Sequence, residues 1–292
     1  MKILVTGGCG SIGSHLIAEL KEKHELTLFD LAPPQSQDCK HIKGDVLKPE
    51  EVRKAVVGMD AVIHLVGGHS SPDPFLTMNL NAIGTFNVLE CMAQEGVPRL
   101  LHSSSNSVFG AVFSKKPFSP EFFPLDVRAR PRPQDPYGLA KLAAEQMCRG
   151  YHDGYGMRII SIRHCWVWVK DDPTRGRAQY ARRAEIAAKG DDGRETPLNI
   201  RRLWGYIDVS DVVRGYLLAL EKIDEVGHEV VNLSAADTFS DEKSIDLIRK
   251  YYPGVKQVSE AYHTEPHTAL YGHEKARKLL GWEPQVSWRD MV

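Results

Sequence analysis

The stretch Val5-Thr6-Gly7-Gly8-Cys9-Gly10-Ser11-Ile12-Gly13 constrains the fold more than any other part of the chain. It follows the apolar run Ile3-Leu4-Val5 and opens the spacing Ile12, Leu16, Leu20, so it reads as a turn from a buried strand into a helix. Glycines there permit a tight turn, close backbone approach and close helix packing, while the helix N-terminus supplies N–H groups and partial positive charge. Such a turn cradles a pyrophosphate. The expected ligand is a dinucleotide, met by Gly7, Gly10, Ser11, Ile12 and Gly13.

Leu26-Thr27-Leu28-Phe29-Asp30 reads as a second buried strand with an acid at its carboxyl end, about twenty residues past the cradle. A carboxylate at that place accepts hydrogen bonds from ribose hydroxyls and repels a 2′-phosphate, and Leu31-Ala32-Pro33-Pro34 supplies no arginine to reverse the preference. Asp30 therefore favours NAD over NADP. Gly44-Asp45-Val46 closes a third strand, Asp60 to Gly68 forms a fourth, and Phe75 to Gln94 reads as a long helix. Strands alternating with helices predict an α/β fold: a Rossmann-like, doubly wound parallel sheet with a small C-terminal lobe. The expected boundaries are 1–164 for the dinucleotide-binding domain, with 206–234 returning to the sheet, and 165–292 for the lobe.

Arg99 to Gly110 runs from a strand into the polar loop Ser103-Ser104-Ser105-Asn106-Ser107, at the carboxyl end where open α/β sheets place their sites. Asp135-Pro136-Tyr137-Gly138-Leu139-Ala140-Lys141 starts a helix, since proline suits its first turn and Leu139, Leu142, Ala143 and Met147 form an apolar stripe. Tyr137 and Lys141, one turn apart, share a face. A free phenol is a poor base at neutral pH, but a neighbouring ammonium and a positive nicotinamide ring both stabilise the phenolate. Tyr137 would then take the proton of a substrate hydroxyl while the carbon beneath gives hydride to the nicotinamide.

Thr6 to Gly13, Asp30, Asp45-Val46, Ser105 and Tyr137-x-x-x-Lys141 together resemble an extended short-chain dehydrogenase/reductase of the NAD-dependent epimerase/dehydratase family. The resemblance spans nearly the whole chain. It implies catalytic roles for Ser105, Tyr137 and Lys141, with Ser105 hydrogen-bonding the reacting oxygen. It also sets Asp45, Val46, Leu65, Val66, Gly67, Asn81 and Ser103 beside the cofactor, NAD. Asn81 lies in Asn81-Ala82-Ile83-Gly84-Thr85, similar to the family's Asn-x-x-Gly-Thr. Tyr206 to Val212 and Lys275 to Pro284 resemble its later helix start and C-terminal helix.

Two positions depart from that pattern. Trp166 and Trp204 stand where nucleotide-sugar enzymes of the family carry an Asn and a diphosphate-gripping Arg. Gly67-Gly68-His69-Ser70-Ser71, Ser104-Ser105-Asn106 and Arg201 instead look like the smaller uronate dehydrogenases, although Ser107 replaces their characteristic His. The substrate is therefore expected to be a small sugar or sugar acid, met by Ser70, Ser105, Asn106 and Trp166, with Arg201 or Arg202 on its anionic group.

The leading reading is oxidation of a sugar hydroxyl by NAD. An epimerase that keeps its cofactor bound is the rival, and a non-catalytic NAD sensor is a third. A net charge of -1, with no basic patch that interleaves aromatics, gives no support for nucleic acid. Arg128 to Arg132 reads as a solvated loop, Arg175 to Arg183 as a solvent-facing helix, and His263 and His267, parted by Pro266, as loop rather than a metal pair. Five scattered cysteines argue against disulfides and zinc, no apolar run approaches membrane length, and the first residues leave no room for a signal peptide. A cytoplasmic homodimer without a metal is expected.

Overall fold

Strands buried on both faces need continuous apolar runs, and the chain supplies them in Ile3-Leu4-Val5, Ala61-Val62-Ile63 and Ile159-Ile160. The structure, a computed structural model, describes residues 1–34, 39–68, 73–169 and 198–291. In chain order the first half holds β1 (Lys2–Thr6), α1 (Ser11–Leu20), β2 (Glu25–Asp30), β3 (Lys40–Lys43), α2 (Pro49–Val56), β4 (Ala61–His64), α3 (Pro74–Met78), α4 (Gly84–Glu95), β5 (Arg99–Ser105), β6 (Phe122–Phe123) and α5 (Pro136–Tyr155). The second half holds β7 (Arg158–His164), β8 (Trp166–Trp168), α6 (Leu198–Arg201), β9 (Tyr206–Asp208), α7 (Val209–Val226), β10 (His228–Leu233), α8 (Ser244–Tyr251), β11 (Gln257–Val258), α9 (Ala261–Thr264) and α10 (Glu274–Leu280).

Seven strands form one sheet in the order β10-β7-β5-β4-β1-β2-β3, and every pairing in it is parallel. The chain starts in the middle at β1, winds outward through β2 and β3, then crosses back to β4. That reversal leaves a crevice beyond the carboxyl ends of β1 and β4, where open α/β sheets bind ligands. Side chains alternate across the sheet: Leu4, Val62, Leu100 and Ile159 pack towards α2 and α4, while Ile3, Ile63, Leu101 and Ile160 belong to the core that reaches α1, α7 and the C-terminal lobe.

The sheet and lobe follow the expected class, with one difference in the connection. Tyr206–Asp208 does not rejoin the main sheet; β9 pairs in parallel with β8, and the chain re-enters the sheet at β10. Three residues make too short a strand to extend that sheet, while Trp168 and Tyr206 bury each other's rings at 4.6 Å between centroids. The helix expected over Phe75 to Gln94 is continuous, with a π turn at Asn79–Ile83 joining α3 to α4. Arg128 salt-bridges Asp126 in its loop. The stretch Arg175 to Arg183, and Ser70, lie outside the described residues.

Candidate active site

The cradle is built as its glycines require. Gly7 has φ +71, and a Cβ there would stand 2.8 Å from the Val66 amide nitrogen, so no other residue fits the approach of β1 to β4. A Cβ on Gly13 would collide with the Gly8 carbonyl. Helix α1 begins after Gly10 with no side-chain cap and no acid in its first turn, which leaves its N–H groups and dipole for a phosphate. Asp30 is fixed at the end of β2: one carboxylate oxygen accepts the Cys9 N–H at 3.0 Å and the other the Ala32 N–H at 3.0 Å. Asp45 follows on the neighbouring β3 connection, and Val46 packs against Gly84.

On the far side of the crevice, Lys141 donates to the Ser103 carbonyl at 2.7 Å and lies 5.8 Å from the centre of the Tyr137 ring. The same ammonium and Asn81 Oδ1 converge on Gly67, at the end of the β4 connection, where a Cβ would meet both. Asn81 donates to the carbonyls of Thr77 and Gly68 at 2.8 and 3.1 Å, while its buried Oδ1 has no partner among the described residues. A glycine cradle, an uncapped helix start, an anchored acid and an orphaned acceptor suit a dinucleotide reaching from Gly10 to Lys141.

Tyr137 shares a hydrogen bond with Ser105, and Ser105 Oγ donates to Ser107 Oγ at 3.1 Å. These hydroxyls line a cavity of about 490 Å³ that also touches Ser11, Ile12, Gly67, Asn106 and His164. Asp135 caps α5 by accepting the Gly138 N–H at 2.9 Å, and this sets the first turn that carries Tyr137. Burial pushes the Tyr137 phenol up to about 12, against the lowering effect of Ser105, and burial pulls Lys141 down to about 8. The expected phenolate stabilisation is thus outweighed by desolvation in the protein alone, and Lys141 remains a cation at neutral pH.

Of the two candidate arginines, only Arg202 reaches this cavity, where its guanidinium carbon lies 4.1 Å from the centre of the Trp166 ring. Arg201 is turned inward, 2% exposed, and donates to the Val112 carbonyl at 2.7 Å. Trp204 is core as well, packed on Tyr251 at 5.4 Å. Three histidines escaped sequence reasoning. His64 lies between Thr6 at 2.6 Å and Thr85 at 3.2 Å, His102 meets Ser161 at 3.1 Å, and His164 meets Ser103 at 3.2 Å. Burial holds His64 down at about 3 and His164 at about 4. Their place at strand carboxyl ends was the available signal. Phe113, edge-on to Tyr137 at 6.1 Å, had none.

The chain resembles proteins of known type along its length. A UDP-glucose 4-epimerase of Corynebacterium glutamicum is 26% identical over 310 residues, covering 98% of this chain and 91% of that protein. A uronate dehydrogenase of Pseudomonas syringae pv. tomato is 33% identical over 167 residues, covering 56% of this chain and 58% of that protein. The crystal structure of a short-chain dehydrogenase/reductase superfamily protein from Agrobacterium tumefaciens with bound NAD superposes with a TM-score of 0.72 at 23% identity, over 100% of this chain and 94% of that one. The profile of the NAD dependent epimerase/dehydratase family matches residues 3–234, and with the cradle, the anchored Asp30 and the Ser105–Tyr137 pair this makes the chain a member of that NAD-dependent enzyme family.

Proposed function

We propose that the chain is an NAD-dependent sugar epimerase. The observation that carries the reading is the Ser105–Tyr137 hydrogen bond on the wall of a cavity that opens onto Ser11, Ile12 and Gly67 of the cofactor side. Tyr137 takes the proton of a sugar hydroxyl, Ser105 donates to the same oxygen, and the Lys141 charge draws the phenol towards phenolate. NAD, when bound, accepts the hydride. Tyr137 then returns the proton after the transient ketone has turned its other face. The full-length likeness to a UDP-glucose 4-epimerase supports a hydride that returns, whereas the uronate dehydrogenase likeness covers little more than half the chain.

A dehydrogenase of a free sugar acid is the second reading, and Trp166 favours it, because an indole on the cavity wall stacks on a sugar ring and cannot pair with a diphosphate. Incubating the protein with NAD and a panel of sugars, sugar acids and UDP-sugars separates the two. Epimer by NMR without free NADH supports the epimerase, accumulating NADH supports the dehydrogenase, and neither defeats both.

Exposed Phe75, Leu76, Ile83 and Phe86 on α3, α4 and their joining turn, with Leu139 on α5, form an apolar face that supports a homodimer. Five free thiols suit a reducing cytoplasm, and among the described residues no helix is long and apolar enough to cross a membrane. Residues 1–164 with 206–234 would form the cofactor domain and 165–292 the substrate lobe.

A further inference from the structure

We infer that Asp237 is a positioning residue: with the segment Ser287 to Arg289 it latches the part of the cavity wall that carries Trp166 and Gly205. The cavity that holds Ser105 and Tyr137 is also lined by Cys165, Trp166, Val167 and Gly205. These residues lie on and beside β8 and in the turn before β9, and two paired strands of three residues each hold little by themselves. The turn is strained besides. Leu203 at φ 53 and Trp204 at φ 47 take a left-handed backbone that side chains resist, and both are buried. Such a wall needs a hold from its surroundings.

The run Ala235 to Phe239 lies along that turn. The Ala235 N–H donates to the Tyr206 carbonyl at 2.9 Å and the Phe239 N–H to the Trp204 carbonyl at 3.0 Å. The Phe239 ring packs on Trp166 at 6.1 Å and on Trp168 at 5.8 Å. In the middle of the run, one Asp237 carboxylate oxygen accepts the Tyr206 hydroxyl at 2.5 Å and the other the Ser287 hydroxyl at 2.8 Å, with the Arg289 guanidinium 3.3 Å away. The Tyr206 oxygen in turn accepts the Trp288 N–H at 2.9 Å, and the Trp288 indole donates to the Thr238 carbonyl at 3.0 Å. Hydrogen bonds thus form a closed ring through β9, the Ala235 to Phe239 run and Ser287 to Arg289. The far end of the latch is fixed as well, because the buried Asp211 carboxylate on α7 accepts the N–H groups of Gln285 and Val286 at 3.0 and 3.1 Å. Burial raises the Asp237 carboxyl above its ordinary value, while Tyr206, Ser287 and Arg289 pull it down. An asparagine there keeps the shape, but turns an NH2 towards one of the two hydroxyl donors and removes the charge that faces Arg289.

Two buried thiols report on the latch. Cys165, 3% exposed, lies beside Trp166 on the wall, whereas Cys148 on α5 is wholly buried in the core on the other face of the sheet. The full chain is treated with N-ethylmaleimide, with no sugar added, and the labelled peptides are mapped by mass spectrometry over time. In the parent both thiols should react slowly. Asp237→Asn should speed Cys165 by about tenfold or more, the equivalent of one hydrogen bond to a charged group, and leave Cys148 within about twofold. Tyr206→Phe keeps the ring on Trp168, should do the same, and carries the test if the asparagine variant does not fold. The double variant should match the faster single one, since both cut the same bond. An unchanged Cys165 overturns the inference. So does equal acceleration of Cys165 and Cys148, which would mean that Asp237 supports the whole fold rather than this wall. Labelling needs no turnover, so a protein that converts no sugar defeats the hydride reading and leaves the latch standing. Where a sugar is converted, Asp237→Asn should raise its KM by more than it lowers kcat and leave the thermal shift with NAD unchanged; a loss of NAD binding as large as the rise in KM overturns the assignment.

Discussion

Glu145 on α5 accepts two hydrogen bonds from Arg163 near the end of β7, at 2.8 and 2.6 Å, with both side chains no more than 5% exposed. Ser104 donates to the same carboxylate at 2.5 Å. The helix that carries Tyr137 and Lys141 is thereby clamped to the strand that presents Ser105 and to its neighbour. The spacing of the three proposed catalytic groups depends on this buried charge.

Breaking one member leaves the other charge buried and unpaired, which costs about 3–5 kcal/mol. Glu145→Ala should therefore lower the melting temperature strongly. The double variant Glu145→Leu with Arg163→Met should recover much of that stability, since the desolvation cost disappears with both charges. It should not recover activity, because the clamp on α5 is lost. Equal melting temperatures for the single and double variants would contradict this account.

Tyr137→Phe should cut turnover by about 10²–10⁴ and leave NAD binding, read as a thermal shift, nearly unchanged, since only the proton acceptor is removed. Burial raises the phenol to about 12, so below that value the reactive phenolate is the minor form. The parent's rate should climb with pH up to about 8, by up to about tenfold per unit, and level off above it as Lys141 loses the charge that favours the phenolate. A flat profile together with residual activity near the parent's would assign the proton to another group.

Local spacing made the proposed cofactor half of the candidate site legible. The cradle lies within Val5 to Gly13, and Tyr137 and Lys141 are one helical turn apart, so short-range pattern and helix geometry sufficed. Glu145, Arg163 and Ser104 come from three elements with no local pattern linking them, and only the sheet order brings them together. Arg201 and Arg202 are neighbours in the chain, so spacing alone did not distinguish the one that donates to the Val112 carbonyl from the one that reaches the cavity. Trp204, which stands where nucleotide-sugar enzymes of the family carry an arginine, is core, packed on Tyr251, a partner distant in sequence.

We propose that cofactor choice depends on Asp30. Its carboxylate is held by the Cys9 and Ala32 amides, so it cannot swing away from a 2′-phosphate without giving up both. NAD should raise the melting temperature of the parent more than NADP does, and Asp30→Asn should narrow the gap by removing the like charge. Equal or greater stabilisation of the parent by NADP would show that the acid does not meet the ribose.

His64 and His102 sit on adjacent strands in register, with ring centroids 6.3 Å apart and neither side chain exposed. Burial, and after it the Lys141 charge, lowers His64 to about 3 and sets His102 well below its ordinary value. In the unfolded chain both titrate near 6.5. Between those limits the unfolded chain binds protons that the folded protein refuses, so stability is fully present above pH 6.5 and is lost as the pH falls below it. Each histidine contributes about 1.4 kcal/mol per pH unit in that window. Chemical denaturation at pH 7.5, 5.5 and 4.5 should show a steep fall in stability. His102→Leu, which keeps the site apolar and non-titrating, should remove one histidine's share of the fall. The same slope in parent and variant would mean that carboxylates, rather than these two imidazoles, set the acid limit of the fold.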